Sequence, residues 1–336
     1  MSMMSTRANQ RDEWCTSSPG RHSQGNDRKN MATNDNSSGI PNSALTPLPS
    51  KWSVKTLPEF SDAEFEKWKL LLEEKTGIHL VPQQKAFLQA QLTIRLRELG
   101  GISLNEYATR LKEGIDGVVE WSTLTDRLVV KETSFFRHPE NCEFIRDLIR
   151  QRVKQGQIGE SFDLWSVGCS TGEEPYTLAM MTQDCFEEAS LNNYWGVTGT
   201  DISLPALAYA RQGVYPKRKL DMLLGDEKQR YFEALDDGHY QVVKKLRNRV
   251  CFAHGNVTEL KKLPQVKMDL ISCHNMLIYF RRWRRRKILN NLAERLKPKG
   301  VLIIGMGEIV DWEHPLLTRV PNDTVQAYQR IEEAGK

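Results

Sequence analysis

The chain has 336 residues, 39% hydrophobic and 27% charged, with a formal charge of +4 at pH 7. This leaves room for two domains and a substantial core, and the charge is too small to imply nucleic acid. No apolar run approaches the ~20 residues of a membrane helix and no apolar signal segment opens the chain, so direct membrane insertion is not expected. Six cysteines at 15, 142, 169, 185, 251 and 273 show no C-x-x-C and no partnered His spacing, so neither a disulfide framework nor a metal site is expected, and a reducing cytoplasm is the simplest home.

Residues 1–56 are rich in Ser, Asn, Asp, Arg, Gly and Pro and poor in aliphatics, and are expected to form a disordered tail. Residues 57–128 read as a small helical domain. Ser61 and Glu64 have capping-box spacing ahead of Phe65, Trp68, Leu71 and Leu72. A second helix is expected from Gln83 to Leu99, stopped by Gly100-Gly101, a third from Ser103 and Glu106, and a fourth from Gly117 to Leu128. Lys85, Arg95 and Arg97 could meet an acidic partner, although basic residues on a helix more often form its wet face.

Residues 129–336 read as a second, α/β domain. In VVKETSFFR (129–137), Thr133, Ser134 and Arg137 bracket Phe135-Phe136 where the two domains join, a setting that often lines ligand sites. A helix follows from Pro139. Phe162 to Tyr176, FDLWSVGCSTGEEPY, reads as strand, glycine loop and helix, the pattern that lets a ligand lie against backbone N–H groups. It is neither G-x-G-x-x-G nor a P-loop. Glu173 and Glu174 at the helix start would repel a pyrophosphate but receive an amino group or ribose hydroxyls, which favours a cationic cofactor such as S-adenosylmethionine. A structural turn with a solvated acidic cap remains the plainer alternative for this segment alone.

The strand Trp195–Thr200 ends in Asp201, where nucleoside-binding α/β folds place an acid on the ribose, and a helix is expected over Ser203–Gly213. The strand–helix rhythm predicts a parallel sheet. It fails over about 215–250, where the turn Asp236-Asp237-Gly238 and the alternation from His239 to Val243 suggest an inserted β-subdomain. Strands resume at Val250–Ala253, Met268–Cys273 and Gly300–Gly305, with a helix over Arg281–Leu296. Asn256 and Asn275 fall just past strand ends, on the ligand-binding edge of such a sheet. The run from Arg281 to Lys287 tempts a nucleic-acid reading, but stacking sites interleave several aromatics and the chain is weakly basic, so no nucleic acid is expected.

Taken together, TSFFR (133–137), STGEEPY (170–176), GTD (199–201) and HNMLIYF (274–280) resemble the chemotaxis-receptor glutamate methyltransferase family, usually called CheR, over roughly residues 58–332. The resemblance implies a class I S-adenosylmethionine-dependent (Rossmann-like) methyltransferase domain with a small inserted β-subdomain, preceded by a small all-α N-terminal domain. It implies methyl transfer from S-adenosylmethionine to glutamates of the cytoplasmic helical domain of chemoreceptors, with S-adenosylhomocysteine as product. Position by position, it assigns Thr133 and Arg137 to the cofactor across the junction. Glu174 is placed near its methionine or adenosine part, Asp201 on the ribose, and Asn256, Val257, His274 and Asn275 around the adenine and reacting end. Tyr279 and Arg137 are assigned to the transferred methyl. A monomer is expected.

Several positions depart from the family's usual pattern. Lys131 stands for an Asn, His274 for an Arg, and Gly305-Met306-Gly307-Glu308 for G-H-S-E. A titratable imidazole in place of a permanent bidentate donor is expected to alter cofactor affinity or its pH dependence. The insertion lacks the R-G-x-G loop with which relatives grip a receptor's C-terminal pentapeptide, which predicts pentapeptide-independent recognition. Two other readings compete. One is a non-catalytic module that binds the cofactor and regulates a partner, and the other is nucleic-acid methylation, which lacks the N/D-P-P-Y/F tetrapeptide.

Overall fold

The computed structural model describes residues 60–129, 132–223 and 225–332. The expected tail at 1–56 and Lys131 lie outside the described residues. The first helix, α1 (Asp62–Thr76), has the expected capping box: Glu64 N–H donates to Ser61 Oγ at 3.1 Å and Ser61 N–H to the Glu64 carboxylate at 3.2 Å. It closes at Gly77, whose φ of 83° suits a residue without a Cβ. A 3-10 turn at Pro82–Gln84 leads into α2 (Lys85–Glu98), and Ser103 caps α3 (Leu104–Arg110). The fourth helix, α4 (Gly114–Leu128), begins three residues before the predicted Gly117. Gly117 serves packing instead, because a Cβ there would meet the Leu111 carbonyl oxygen at 2.8 Å.

These helices enclose their own core of Phe65, Trp68, Leu88, Leu92, Leu96, Tyr107 and Leu124. Within it Arg95 donates to both oxygens of the buried Glu120, at 2.7 and 2.6 Å, and Tyr107 Oη donates to Glu120 at 2.7 Å. Lys85 pairs with Asp62 at 2.6 Å. Two of the three cations that could have met an acidic partner, Lys85 and Arg95, thus pair within their own domain.

After α5 (Pro139–Lys154), the chain alternates β1 (Ser161–Val167), α6 (Glu173–Glu188), β2 (Tyr194–Asp201) and α7 (Leu204–Gln212). The insertion contributes β3 (Val214–Pro216), α8 (Glu227–Tyr231), β4 (Phe232–Ala234), β5 (His239–Val242) and α9 (Lys244–Arg247). Then come β6 (Val250–His254), β7 (Met268–Cys273), α10 (Arg282–Ala293), β8 (Leu296–Ile304), β9 (Leu317–Arg319) and β10 (Gln326–Arg330). The main sheet has the order β6-β2-β1-β7-β8-β10-β9, parallel except that β10 runs antiparallel to both neighbours. The three inserted strands form a separate antiparallel sheet, β3-β5-β4.

Sequence periodicity overruns α10 by three residues, to Leu296. That residue instead pairs with Met268 and opens β8, and the register shifts between Met268 and Leu270. At the bend, a Cβ on Gly300 would lie 2.7 Å from the Lys297 carbonyl oxygen, so β8 turns on a glycine where the sequence suggested the strand's beginning. One sheet face packs Phe162, Leu164, Leu178 and Met181 with the insertion's Tyr215 and Phe232. Phe135 locks these together, edge-on to Tyr215 at 5.0 Å and to Phe232 at 5.3 Å. The other face packs Trp165, Ile271, Leu289 and Leu292. Among the described residues no helix is long and apolar enough to cross a membrane.

Candidate active site

The strand order reverses at β1, whose neighbours β2 and β7 carry the chain away on opposite sides. The loops beyond the strands' C-terminal ends therefore part and leave a crevice there. The crevice holds a cavity of about 400 Å³, within the ~300–1,000 Å³ of small-molecule sites. Thr76, Ile78, Asp126 and Val129 of the helical domain close it on one side.

The loop after β1 is shaped by two glycines with positive φ. A Cβ on Gly168 would meet Met276 at 2.7 Å, and one on Gly172 would meet Ala210 at 2.8 Å. Gly168 and Cys169 N–H groups both donate to the Thr200 carbonyl, at 2.8 and 3.0 Å. Ser170 N–H donates to Asp201 Oδ2 at 2.8 Å, and Ser203 N–H donates to the other carboxylate oxygen at 2.8 Å. Asp201 thus joins the loops after β1 and β2. Burial pushes its carboxyl above the ordinary range despite these donors.

The adjacent glutamates diverge. Glu173 is wholly buried, accepts from Thr171 Oγ1 at 2.6 Å and pairs with Lys219 at 2.9 Å. Glu174 lines the cavity, accepts from Ser166 Oγ at 2.7 Å and lies 3.3 Å from His274 Nδ1. Removal from bulk water opposes its ionisation, but the His274 hydrogen bond and charge outweigh that and hold the carboxyl below its ordinary value.

The loop after β7 carries the rest. His274 is buried, with Nδ1 2.9 Å from Ser272 Oγ and Nε2 3.0 Å from Asn141 Nδ2. Asn275 adopts φ 56°, a conformation that asparagine tolerates better than most residues. Its Nδ2 lies 2.9 Å from His138 Nε2 and its backbone N–H donates to Glu308, whose other oxygen accepts from Leu277 N–H at 2.8 Å. Burial, followed by the neighbouring His274 and Arg137, lowers the His138 pKa.

The residues that the resemblance assigned to the site line this one cavity: Thr133, Arg137, Glu174, Asp201, Asn256, Val257, His274, Asn275 and Tyr279; Glu173, expected beside Glu174 to receive the ligand, does not. Their side chains are not equally available. Asn256 Oδ1 accepts from Thr258 N–H at 2.9 Å and its Nδ2 donates to the Lys75 carbonyl at 3.1 Å, so its side chain is engaged within the protein. Arg137 is exposed at the cavity and donates to the Glu132 carbonyl at 2.6 Å. The Tyr279 ring packs against both the helical core and the sheet core. Sequence reasoning missed His138, Asn141 and Asp126, and named Glu308 only within a departure from the family's pattern, without a role in the site. Only His138, between Arg137 and the helix-opening Pro139, carried a local signal.

The cavity suits S-adenosylmethionine. Two carboxylates, Glu174 and Asp201, line it and match a cationic ligand that also has hydroxyls, and the buried Ser170 Oγ on the cavity wall has no partner within the protein. A buried hydroxyl left in this way favours a ligand that bonds to it. Sheet order, glycine loop and acidic strand end define a class I S-adenosylmethionine-dependent methyltransferase. The CheR methyltransferase all-alpha domain matches residues 63–129 and the CheR methyltransferase SAM binding domain matches residues 131–325, so the chain belongs to the CheR methyltransferase family. The chemotaxis protein methyltransferase of Borreliella burgdorferi is 31% identical over 237 residues, covering 70% of this chain and 83% of its own. That of Escherichia coli is 32% identical over 251 residues, covering 74% and 85%. A probable biofilm formation methyltransferase, WspC, of Pseudomonas putida is 33% identical over 241 residues, covering 70% of this chain and 54% of its own.

Proposed function

We propose that this CheR-family methyltransferase esterifies glutamate side chains on the cytoplasmic helical domain of chemoreceptors, in the cytoplasm. The observation that carries this reading is the presence of an exposed guanidinium, Arg137, and a phenol, Tyr279, on the wall of one cofactor-sized cavity. A glutamate carboxylate, with a reference pKa of about 4.3, is already a nucleophile at neutral pH and needs donors to orient it rather than a base to activate it. In this role Arg137 holds the carboxylate by charge-assisted hydrogen bonds, while the Tyr279 hydroxyl donates to one oxygen and leaves the other to attack. S-adenosylmethionine supplies the methyl as a sulfonium; the new carbon–oxygen bond forms as the carbon–sulfur bond breaks, leaving a neutral thioether. No proton is transferred, so alignment supplies the catalysis, which in well-oriented systems amounts to roughly 7–11 kcal/mol.

Glu174, Asp201 and Ser170, with the backbone around Asn256 and Val257, are the groups proposed to bind the cofactor, and Thr133, His274 and Asn275 to complete its enclosure. Recognition is proposed to be independent of a receptor pentapeptide. The β4–β5 turn carries the exposed Asp236 and Asp237, with Asp237 3.0 Å from His239, and acidic groups disfavour a peptide's terminal carboxylate. The test is transfer of labelled methyl to receptor cytoplasmic fragments, with alkali treatment to release methanol from a carboxyl ester. Alkali-stable label would overturn the glutamate reading. Calorimetry with receptor C-terminal peptides tests the second point, and specific binding would refute it.

A further inference from the structure

The turn that closes α1 reaches across the domain boundary to the loop bearing Tyr279. Glu73, buried at 8% exposure in the last turn of α1, accepts from Arg281 Nε at 2.5 Å and from Arg281 Nη2 at 3.0 Å. Its carboxylate also lies 3.2 Å from His79 Nδ1, and its backbone carbonyl accepts from Arg284 Nη1 at 3.1 Å. Two residues past Gly77, His79 N–H donates to the Tyr279 carbonyl at 2.8 Å. Gly77 itself is packed so closely that a Cβ would lie 2.5 Å from Thr258 and 2.9 Å from Phe280. The Tyr279 ring is held between the helical core and the sheet core. Thus residues 73–80 grip the 277–281 loop by main chain, ring and ion pair together. The Glu73 carboxylate is buried and the Arg281 side chain is exposed, and the two N–H donors of the guanidinium on the two carboxylate oxygens fix the geometry more tightly than a single bond would.

We propose that Glu73, paired with Arg281, is a positioning residue for methyl transfer: it fixes the 277–281 loop so that Tyr279 stands against the cavity. The helical domain then takes part in the reaction through this turn, without touching the reacting atoms. The inference rests on the role proposed above for Tyr279.

The test is a double-mutant cycle on the full chain, reading kcat for receptor-fragment methylation together with calorimetric S-adenosylhomocysteine affinity. Misplacement by about 1 Å can cost up to ~100-fold in rate, so Glu73→Gln is expected to lower kcat by about 10–100-fold while cofactor affinity is unchanged. In the Tyr279→Phe background the same substitution is expected to add no further loss, because it acts through Tyr279. A merely structural ion pair would give equal losses in both backgrounds, and that result overturns the proposal. So does full activity of Glu73→Gln while Tyr279→Phe is impaired. Full activity of Tyr279→Phe alone overturns the reading of Tyr279 and this inference with it. Circular dichroism checks folding; if Glu73→Gln does not fold, Arg281→Gln enters the same cycle from the other partner, with the same outcomes.

Discussion

His274 Nδ1 stands 3.3 Å from Glu174 Oε2, while its Nε2 stands 3.0 Å from Asn141 Nδ2. With the Asn141 amide at Nε2, the Nδ1 side of the ring faces Glu174 and Ser272 Oγ. The Glu174 carboxyl is thereby held below its ordinary value of 4.5, so the pair stabilises the fold above that value and loses its contribution as pH falls through the lower, folded-state pKa. His274→Ala is expected to reduce unfolding stability at pH 7 by about 1.5–3 kcal/mol, the range for hydrogen bonds to charged groups. The difference from the parent protein should shrink below pH 4.5 in urea titrations at several pH values. A pH-independent difference would show that packing, not the hydrogen bond, is what His274 contributes.

Asp201 has the opposite shift. Burial raises its carboxyl above 3.8 even though Ser203 and Ser170 N–H groups donate to it. In the proposed role on the ribose it is the ionised form that accepts the hydroxyls, so S-adenosylhomocysteine affinity should fall as pH drops through a midpoint above 3.8. Asp201→Asn should raise the Kd at pH 7 by about 10–150-fold, equivalent to ~1.5–3 kcal/mol, and abolish that transition. Calorimetry across pH checks both.

Tyr279→Phe removes one donor and leaves the ring in place. It should lower kcat by about 10–150-fold, the kinetic equivalent of a hydrogen bond to a charged group, with S-adenosylhomocysteine affinity unchanged. Arg137→Ala should raise KM for the receptor fragment as well as lower kcat, since in its proposed role the Arg137 charge holds the substrate. Labelled-methyl assays with calorimetry on the same preparations separate the two.

Gly77→Ala should be destabilising on two counts. Its φ of 83° is strained for an L-residue, and the new Cβ would lie 2.5 Å from Thr258 and 2.9 Å from Arg284 Nη1. A loss of about 1–3 kcal/mol is expected from chemical denaturation. An unchanged midpoint would mean that the two domains part without penalty.

Local chemistry made much of this fold legible. Ser61 and Glu64, Ser103 and Glu106, and the strand–glycine–helix stretch from Phe162 each carry their signal within a few residues, and the chain follows them. The short strands β9 and β10 were not read, because neither has a period long enough to stand out and their pairing with β8 is set by the sheet. Within the site, the sequence could not tell Glu173 from Glu174. Adjacent on a helix, they point about 100° apart, and only the fold decides that one meets Lys219 and the other His274. Nor could it show that the Asn256 amide turns to Lys75, since that contact spans 181 residues.

The grip of Glu73 on Arg281 spans 208 residues. Contacts of such separation are made late, because the intervening chain must first be synthesised and folded. On the ribosome, the helical domain can form early, but the last turn of α1 has no partner across the domain boundary until β1, β2, β6 and β7 have been made. Joining the domains at this turn is then a late act of folding, and a nascent chain stopped before Arg281 cannot complete the cavity wall however well its helices are made.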